Sequence, residues 1–276
     1  DTLRAVNPRL VVVEVDGYGA DDLRTGYDAV IQAEAGFMAL NGAADGPPTK
    51  MPVALVDVLA AHQLKEAALV ALLARERTGK GATVRVSLLG AAVSSLANQA
   101  ANWLTAGVAP QRMGSAHPNI APYGTPYPTA TGAIVLAVGT DRQFAALVEA
   151  VGREDLATDA RFVSNAGRVR HRAALDAVLT EALAGQERDA LLATLAERGV
   201  PAGAVRSVPE VFVQPEAARL VVDDGAGHAA VRTVATEEGR ALTPPPRLGA
   251  DTQAVLAALG LSSAEVDPLA GPGGGP

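Results

Sequence analysis

The sequence contains no cysteine. That excludes a disulfide framework, a thiolate zinc site and a cysteine nucleophile together. Long hydrophobic runs are also missing. The longest apolar stretches, around residues 67–73 and 134–138, are far too short to span a bilayer, and no charged-then-apolar leader opens the chain. A membrane partner is therefore not expected. No HExxH, His-x-x-x-His or Cys/His cluster offers metal ligands, and no GxSxG nucleophile elbow is present. The four histidines, His62, His117, His171 and His228, lie far apart without motif spacing. No internal repeat is found. Excess positive charge is absent too: the net charge is −7, so nucleic acid is not expected as a partner. With 49% hydrophobic and 19% charged residues, the composition does not fit disorder either. What remains is a chain of 276 residues, enough for one large domain or two small ones with a sizeable core. It starts at Asp1 rather than Met, which leaves a processed, truncated or partly represented chain to be considered.

What is there is organised around one carboxylate. Asp57 stands between the apolar run Pro52-Val-Ala-Leu-Val56 and an alanine-rich helical pattern that begins at Val58. A helix N-terminus offers unpaired N–H groups and a positive dipole end. Asp57 therefore reads either as an N-cap or as a carboxylate kept for chemistry, and its immediate surroundings leave both open. Thr78-Gly-Lys-Gly81 stops that helix. An alternating strand pattern follows over residues 82–89, then a second alanine-rich helix from Ala91 to about Ala106.

Upstream, residues 9–15 form a β-branched strand that runs into Gly17-Tyr-Gly19. This glycine pair is first a tight turn and second a ligand loop; the third glycine of a dinucleotide fingerprint is missing. Tyr27 and Asp28 open a helix over residues 28–40, and residues 41–51 form a breaker-rich loop. Arg77 and Lys80 in the turn after the Asp57 helix suit a phosphate, or simply the helix dipole.

From Gly107 the texture changes to a proline- and glycine-rich loop holding His117, and this marks a domain boundary. A hairpin over residues 126–138 turns at Thr131-Gly132. Helices are predicted at residues 141–151, capped by Thr140 or Asp141, and at 172–184 and 187–197. Residues 161–172 read as a basic, solvated connection, 200–205 as a strand and 210–219 as a short helix. Two strand patterns over 220–234 flank the run from Asp223 to His228. A TPPPRLG segment and a helix at 251–259 precede a flexible tail at 271–276.

Beyond these local readings, several runs carry a resemblance. GYDAVIQAEAGFMALNGAADGPPTKMPVALVDVLAAH, LLARERTGKGATVRVSLL and NQAANWLTAG, then RMGSAHPNIAPY, AVGTDRQFAALVEAVG, NAGRVRHRAAL, ERGVPAGAV and PPPRLGADTQAVL, occur in the order seen in the class III (CaiB/BaiF) CoA-transferases, and the chain resembles that family over nearly its whole length. The resemblance implies an α/β fold, with a Rossmann-like large domain and a smaller α+β domain. It divides the chain into a large-domain core at 1–110, a small domain at 111–210 and a C-terminal return at 211–276. Relatives are longer at the N-terminus and shorter segments occur here at 20–26 and 237–243, so the large domain is expected to be incomplete.

The resemblance makes Asp57 the nucleophile and places Tyr27, Asp28, Gly17, Gly19, Lys80, His117 and Asp141 at the acyl-CoA site. No cofactor is implied beyond coenzyme A, which enters as thioester substrate. The implied partners are an acyl-CoA and a free carboxylic acid, with a short dicarboxylate such as succinate favoured by RMGSAHPNIAPY. An interlocked homodimer and a cytoplasmic location follow from the same resemblance. The related alpha-methylacyl-CoA racemases use a histidine where Tyr27 stands and a carboxylate aligned with Asp141. A racemase-like enzyme and a non-catalytic transferase-like subunit are the alternatives.

Overall fold

The computed structural model describes residues 2–223, 227, 229–231, 246, 248–262 and 265. The chain divides into two compact units, Asp1–Val205 and Arg206–Pro276.

The first unit opens with a short helix, α1 (Thr2–Val6), and strand β1 (Val12–Asp16). Next come α2 (Asp28–Glu34), α3 (Phe37–Leu40) and the long α4 (Leu55–Thr78), then β2 (Thr83–Ser87). β1 and β2 pair in parallel from Val12↔Thr83 to Asp16↔Ser87, so α2, α3 and α4 form the crossover that a parallel pair demands. Both strands end together, and their carboxyl edge is where an α/β layer opens a crevice.

Four expectations change here. The helix predicted over 28–40 breaks into α2 and α3 because Gly36 takes φ 87, a left-handed conformation that interrupts helical bonding. The helix predicted from Val58 starts at Leu55, so Asp57 lies in its first turn, and the N-cap is Ala54. Residues 88–106 carry two helices, α5 (Leu88–Ser94) and α6 (Ala97–Ala106), parted where Ala97 adopts φ 48. Alanine periodicity continues across that break, which is why the pattern alone reads as one helix. Finally, the stretch 161–172 is not a solvated connection: it holds a helix, and Arg168 within it is fully buried.

A core of Ile31, Ala35, Val56, Ala60, Leu88, Ala91 and Ala92 joins α2, α4 and α5. The small residues of α4 and α5 allow these helices to approach closely.

Residues 107–122 lead to an antiparallel sheet of β3 (Tyr123–Thr129), β4 (Gly132–Ala137) and β5 (Ala202–Ala204), in that order. Between β4 and β5 lie α7 (Asp141–Ala150), α8 (Asp155–Thr158), α9 (Asn165–Arg170), α10 (Arg172–Ala184) and α11 (Arg188–Glu197). Of the two caps the sequence offers, Thr140 and Asp141, it is Thr140 that caps α7, in a capping box with Gln143. Alternation buries Ile134 and Leu136 of β4 and Val138 just beyond it, and four-residue spacing buries Leu175, Leu179 and Leu183 from α10. Each such side chain stabilises by about 1.5–3 kcal/mol on burial. Tyr127 joins this second core and its hydroxyl donates to Asp176.

The second unit contains α12 (Val208–Phe212) and α13 (Pro215–Ala218), where one helix is predicted, the hairpin β6 (Val221–Asp223) and β7 (Ala229–Val231), and α14 (Thr252–Ala258). The predicted features at His228, at 237–243 and at 271–276, and most of TPPPRLG, lie outside the described residues.

Candidate active site

The chain reaches α4 through a turn at Ala54 (φ −74, ψ 67), in which the Leu55 N–H donates to the Val53 carbonyl at 2.8 Å. Asp57 is the third residue of the helix, and its carboxylate is exposed. Among the described residues it has no hydrogen-bond or ion-pair partner. An anion at this position sits over the positive end of the helix dipole.

Asp57 lines a cavity of about 360 Å³ at the carboxyl edge of the parallel pair. Ala60, Ala61 and Leu64 of α4 and Leu88 of α5 give it apolar walls, while Val15, Asp16 and Gly17 from the end of β1 and Gly26 close it. Gly17 and Gly26 touch backbone to backbone: a Cβ on either would stand 2.5–2.8 Å from the other's main chain. No larger residue fits at either position without moving the wall. Asp16, a second carboxylate on this cavity, accepts the Gly19 N–H at 2.5 Å.

Asp28 is not in the cavity. It is buried behind the first turn of α4, with Oδ1 accepting the Val56 N–H at 2.8 Å and Oδ2 accepting from Gln32 at 2.8 Å. Tyr27, 70% exposed, stands just before α2, and its carbonyl accepts from Val30 and Ile31. Gly19 turns the chain at φ 120 beside the cavity.

The remaining predicted residues, Lys80, His117 and Asp141, do not line this cavity. Lys80 is exposed beyond the other end of α4, about 30 Å along the helix at 1.5 Å per residue. His117 lies in the loop before β3; its Nδ1 accepts the Asn119 N–H at 3.1 Å, and Asn98 of α6 is 3.5 Å from Nε2. Burial, with the nearby Arg172 guanidinium, lowers the His117 pKa, and the ring is neutral above its ordinary value of about 6.5. Asp141 opens α7 and takes the Arg168 guanidinium at 2.8 Å. Arg168 also donates to the Ala121 and Phe162 carbonyls and lies 4.4 Å over the Phe144 ring. Asp141 thus ends a structural ion pair.

Of the residues singled out in the sequence, the structure brings Asp57 and Gly17 to one cavity, with Asp28 directly behind. Sequence reasoning missed Asp16, Gly26 and Gln32. Gln32 follows Asp28 by one helical turn, and that spacing was its available signal.

A family model described as CoA-transferase family III matches residues 1–252. The chain is 36% identical over 272 residues to a succinate–glutarate CoA-transferase of Agrobacterium fabrum, covering 94% of this chain and 68% of that protein. To an acetyl-CoA:oxalate CoA-transferase of Acetobacter aceti it is 35% identical, covering 79% and 57%. The chain thus spans 57–68% of the length of these curated relatives. Among solved structures, a CaiB/BaiF family protein from Brucella suis superposes with TM-score 0.76 at 39% identity, covering 94% of this chain and 70% of that one. A Mycobacterium tuberculosis protein, Rv3272, gives TM-score 0.78 at 30% identity, covering 91% and 69%.

Proposed function

The chain belongs to CoA-transferase family III, and from that premise we propose that it serves transfer of CoA between an acyl-CoA and a free carboxylic acid, with Asp57 as nucleophile. The observation that carries this is the Asp57 carboxylate, unpartnered among the described residues, on the first turn of α4 in a small, largely apolar cavity. An Asp57 oxygen attacks the thioester carbonyl, and collapse expels CoA thiolate to leave an aspartyl–acyl mixed anhydride. The thiolate attacks the aspartyl carbonyl and releases the donor acid, giving an aspartyl-CoA thioester. The acceptor carboxylate then attacks that thioester, and the same two steps in reverse deliver its CoA thioester and restore Asp57. Covalent catalysis divides one hard exchange into easier steps.

Two further features support a nucleophile over a two-base racemase. Tyr27 occupies the place where the racemases carry histidine, and a phenol hydroxyl lacks the imidazole nitrogen that takes and returns a proton in such exchange. Asp141, the other candidate, is held by Arg168. Relatives named as succinate–glutarate, succinyl-CoA:mesaconate and acetyl-CoA:oxalate CoA-transferases favour a short dicarboxylate as the exchanged acid.

We extend the proposal to a homodimer. Leu69, Val70 and Leu73 of α4 and Trp103 and Leu104 of α6 are exposed, more apolar surface than a solvated helix face carries. Asp57→Asn tests the chemistry: exchange of labelled succinate into succinyl-CoA is expected to vanish while CoA binding, read by calorimetry, persists. Undiminished exchange in that variant removes Asp57 from the mechanism, and a wild-type chain that binds no CoA supports a non-catalytic subunit.

A further inference from the structure

We infer that Asp28 and Gln32 are positioning residues for Asp57, fixing the first turn of α4 from a neighbouring helix; the inference rests on the nucleophile reading above. The turn at Ala54 has the dihedrals and the Leu55 N–H to Val53 carbonyl bond of an inverse γ-turn. An N-cap residue is normally extended, with a side-chain oxygen reaching the second or third N–H of the helix. Ala54 has neither that conformation nor an oxygen, and no side-chain cap is made locally. The first turn of the nucleophile helix therefore depends on a distant acceptor.

Asp28 supplies it. Its Oδ1 accepts the Val56 N–H at 2.8 Å, across 28 residues of sequence. Its Oδ2 accepts from Gln32 Nε2 at 2.8 Å, and the Lys50 ammonium lies 4.0 Å from the same oxygen. Gln32 extends the grip: Nε2 donates to the Val53 carbonyl at 3.3 Å and Oε1 accepts the Met51 N–H at 2.9 Å. Two side chains one turn apart on α2 thus hold the backbone at Met51, Val53 and Val56, which is the whole approach to Asp57. Asp28 is 9% exposed and Gln32 fully buried. Both Asp28 oxygens are engaged within the protein, so this residue steers the nucleophile and makes no contact with substrate. A misplacement of about 1 Å at a reacting group costs on the order of 100-fold in rate.

The test compares wild type with Asp28→Ala, Asp28→Asn, Gln32→Ala and Asp57→Asn, reading amide hydrogen exchange at Val56 and Leu179 together with kcat and KM for succinyl-CoA exchange. Leu179 lies in the other core and reports general stability. In Asp28→Ala, Val56 is expected to exchange about 10-fold faster, the size of a lost cap, with Leu179 unchanged. The accompanying fall in kcat should approach 100-fold at nearly constant KM. Asp28→Asn keeps an Oδ1 acceptor for the Val56 N–H but sets an NH2 against Gln32 Nε2, and should recover Val56 protection and kcat only in part. If Asp28→Ala fails to fold, Gln32→Ala carries the same expectation at Met51 and in kcat.

Unchanged Val56 protection in Asp28→Ala, or a loss confined to KM, overturns the inference. Should the chain turn over no substrate, the exchange comparison decides it alone. Exchange activity surviving in Asp57→Asn would instead sink the nucleophile reading and leave the Val56 comparison standing.

Discussion

Arg168 and Asp141 form one ion pair whose two members have very different stakes. Arg168 has no solvent exposure, whereas the Asp141 side chain is 61% exposed. Replacing Asp141 with Asn keeps an oxygen acceptor at the solvent edge but removes the countercharge of a buried guanidinium, and should cost about 1–2 kcal/mol. Replacing Arg168 with Ala strands the Ala121 and Phe162 carbonyls and opens a cavity against Phe144, and should cost about 2–4 kcal/mol. Urea unfolding of the two variants checks the asymmetry; equal losses contradict it. His117 gives a pH signature. Its folded pKa is depressed by burial and by Arg172, so below the ordinary value of about 6.5 the unfolded chain binds the extra proton first. Its contribution is complete above that pH and is lost as pH falls through the lower, folded value. His117→Gln should flatten this part of the stability profile, and an unaltered profile would mean the ring is not held neutral. At this scale an isolated carboxylate between an apolar run and a helix is visible in one dimension, which located Asp57 at the helix start. Its surroundings left cap and nucleophile both open, and only the resemblance chose between them. The role of Asp28 was not visible, since its acceptor function is directed at a backbone 28 residues away. For the same reason a charged side chain such as Arg168 read as surface until its partners were seen.

Among the elements, the boundary between α5 and α6 shows where periodicity fails. The residues on both sides suit a helix, and only the backbone reveals that Ala97 has φ 48. Non-glycine residues in this region carry about 1–3 kcal/mol of strain. Glycine inside a regular helix costs about 1 kcal/mol relative to alanine, but at Ala97 the relief of strain offsets that cost. Ala97→Gly should therefore leave thermal stability undiminished, and Ala97→Val should lower it, because a β-branched side chain tolerates positive φ least. A normal helical glycine penalty in Ala97→Gly would show that the two helices are continuous in solution. The cavity wall offers a second test. Gly26→Ala places a Cβ 2.5 Å from the Gly17 Cα, an overpacking expected to cost about 1–3 kcal/mol. The long helix α4, its stop at Gly79 and the strand β2 were legible because each combines a clear period with turn residues.

For the molecule as a whole, the first unit carries two cores, one built on the parallel pair and its helices and one on the antiparallel sheet. The break in sequence texture after Gly107 falls between them, because a change from alanine-rich helices to proline- and glycine-rich loop marks where one core stops recruiting residues. The cavity joins residues 15–17 and 26 to residues 57–64 and 88, and its glycines meet across the loop between Gly17 and Gly26; no local pattern encodes that packing. The proposed transfer depends on one covalent event at Asp57. Brief incubation of the chain with succinyl-CoA, followed by acid quench, proteolysis and mass mapping, tests it most directly. The predicted result is a CoA adduct on the peptide containing Asp57, removed by hydroxylamine and absent from Asp57→Asn. A chain that binds CoA in calorimetry yet forms no adduct, or forms it on another residue, would contradict the account.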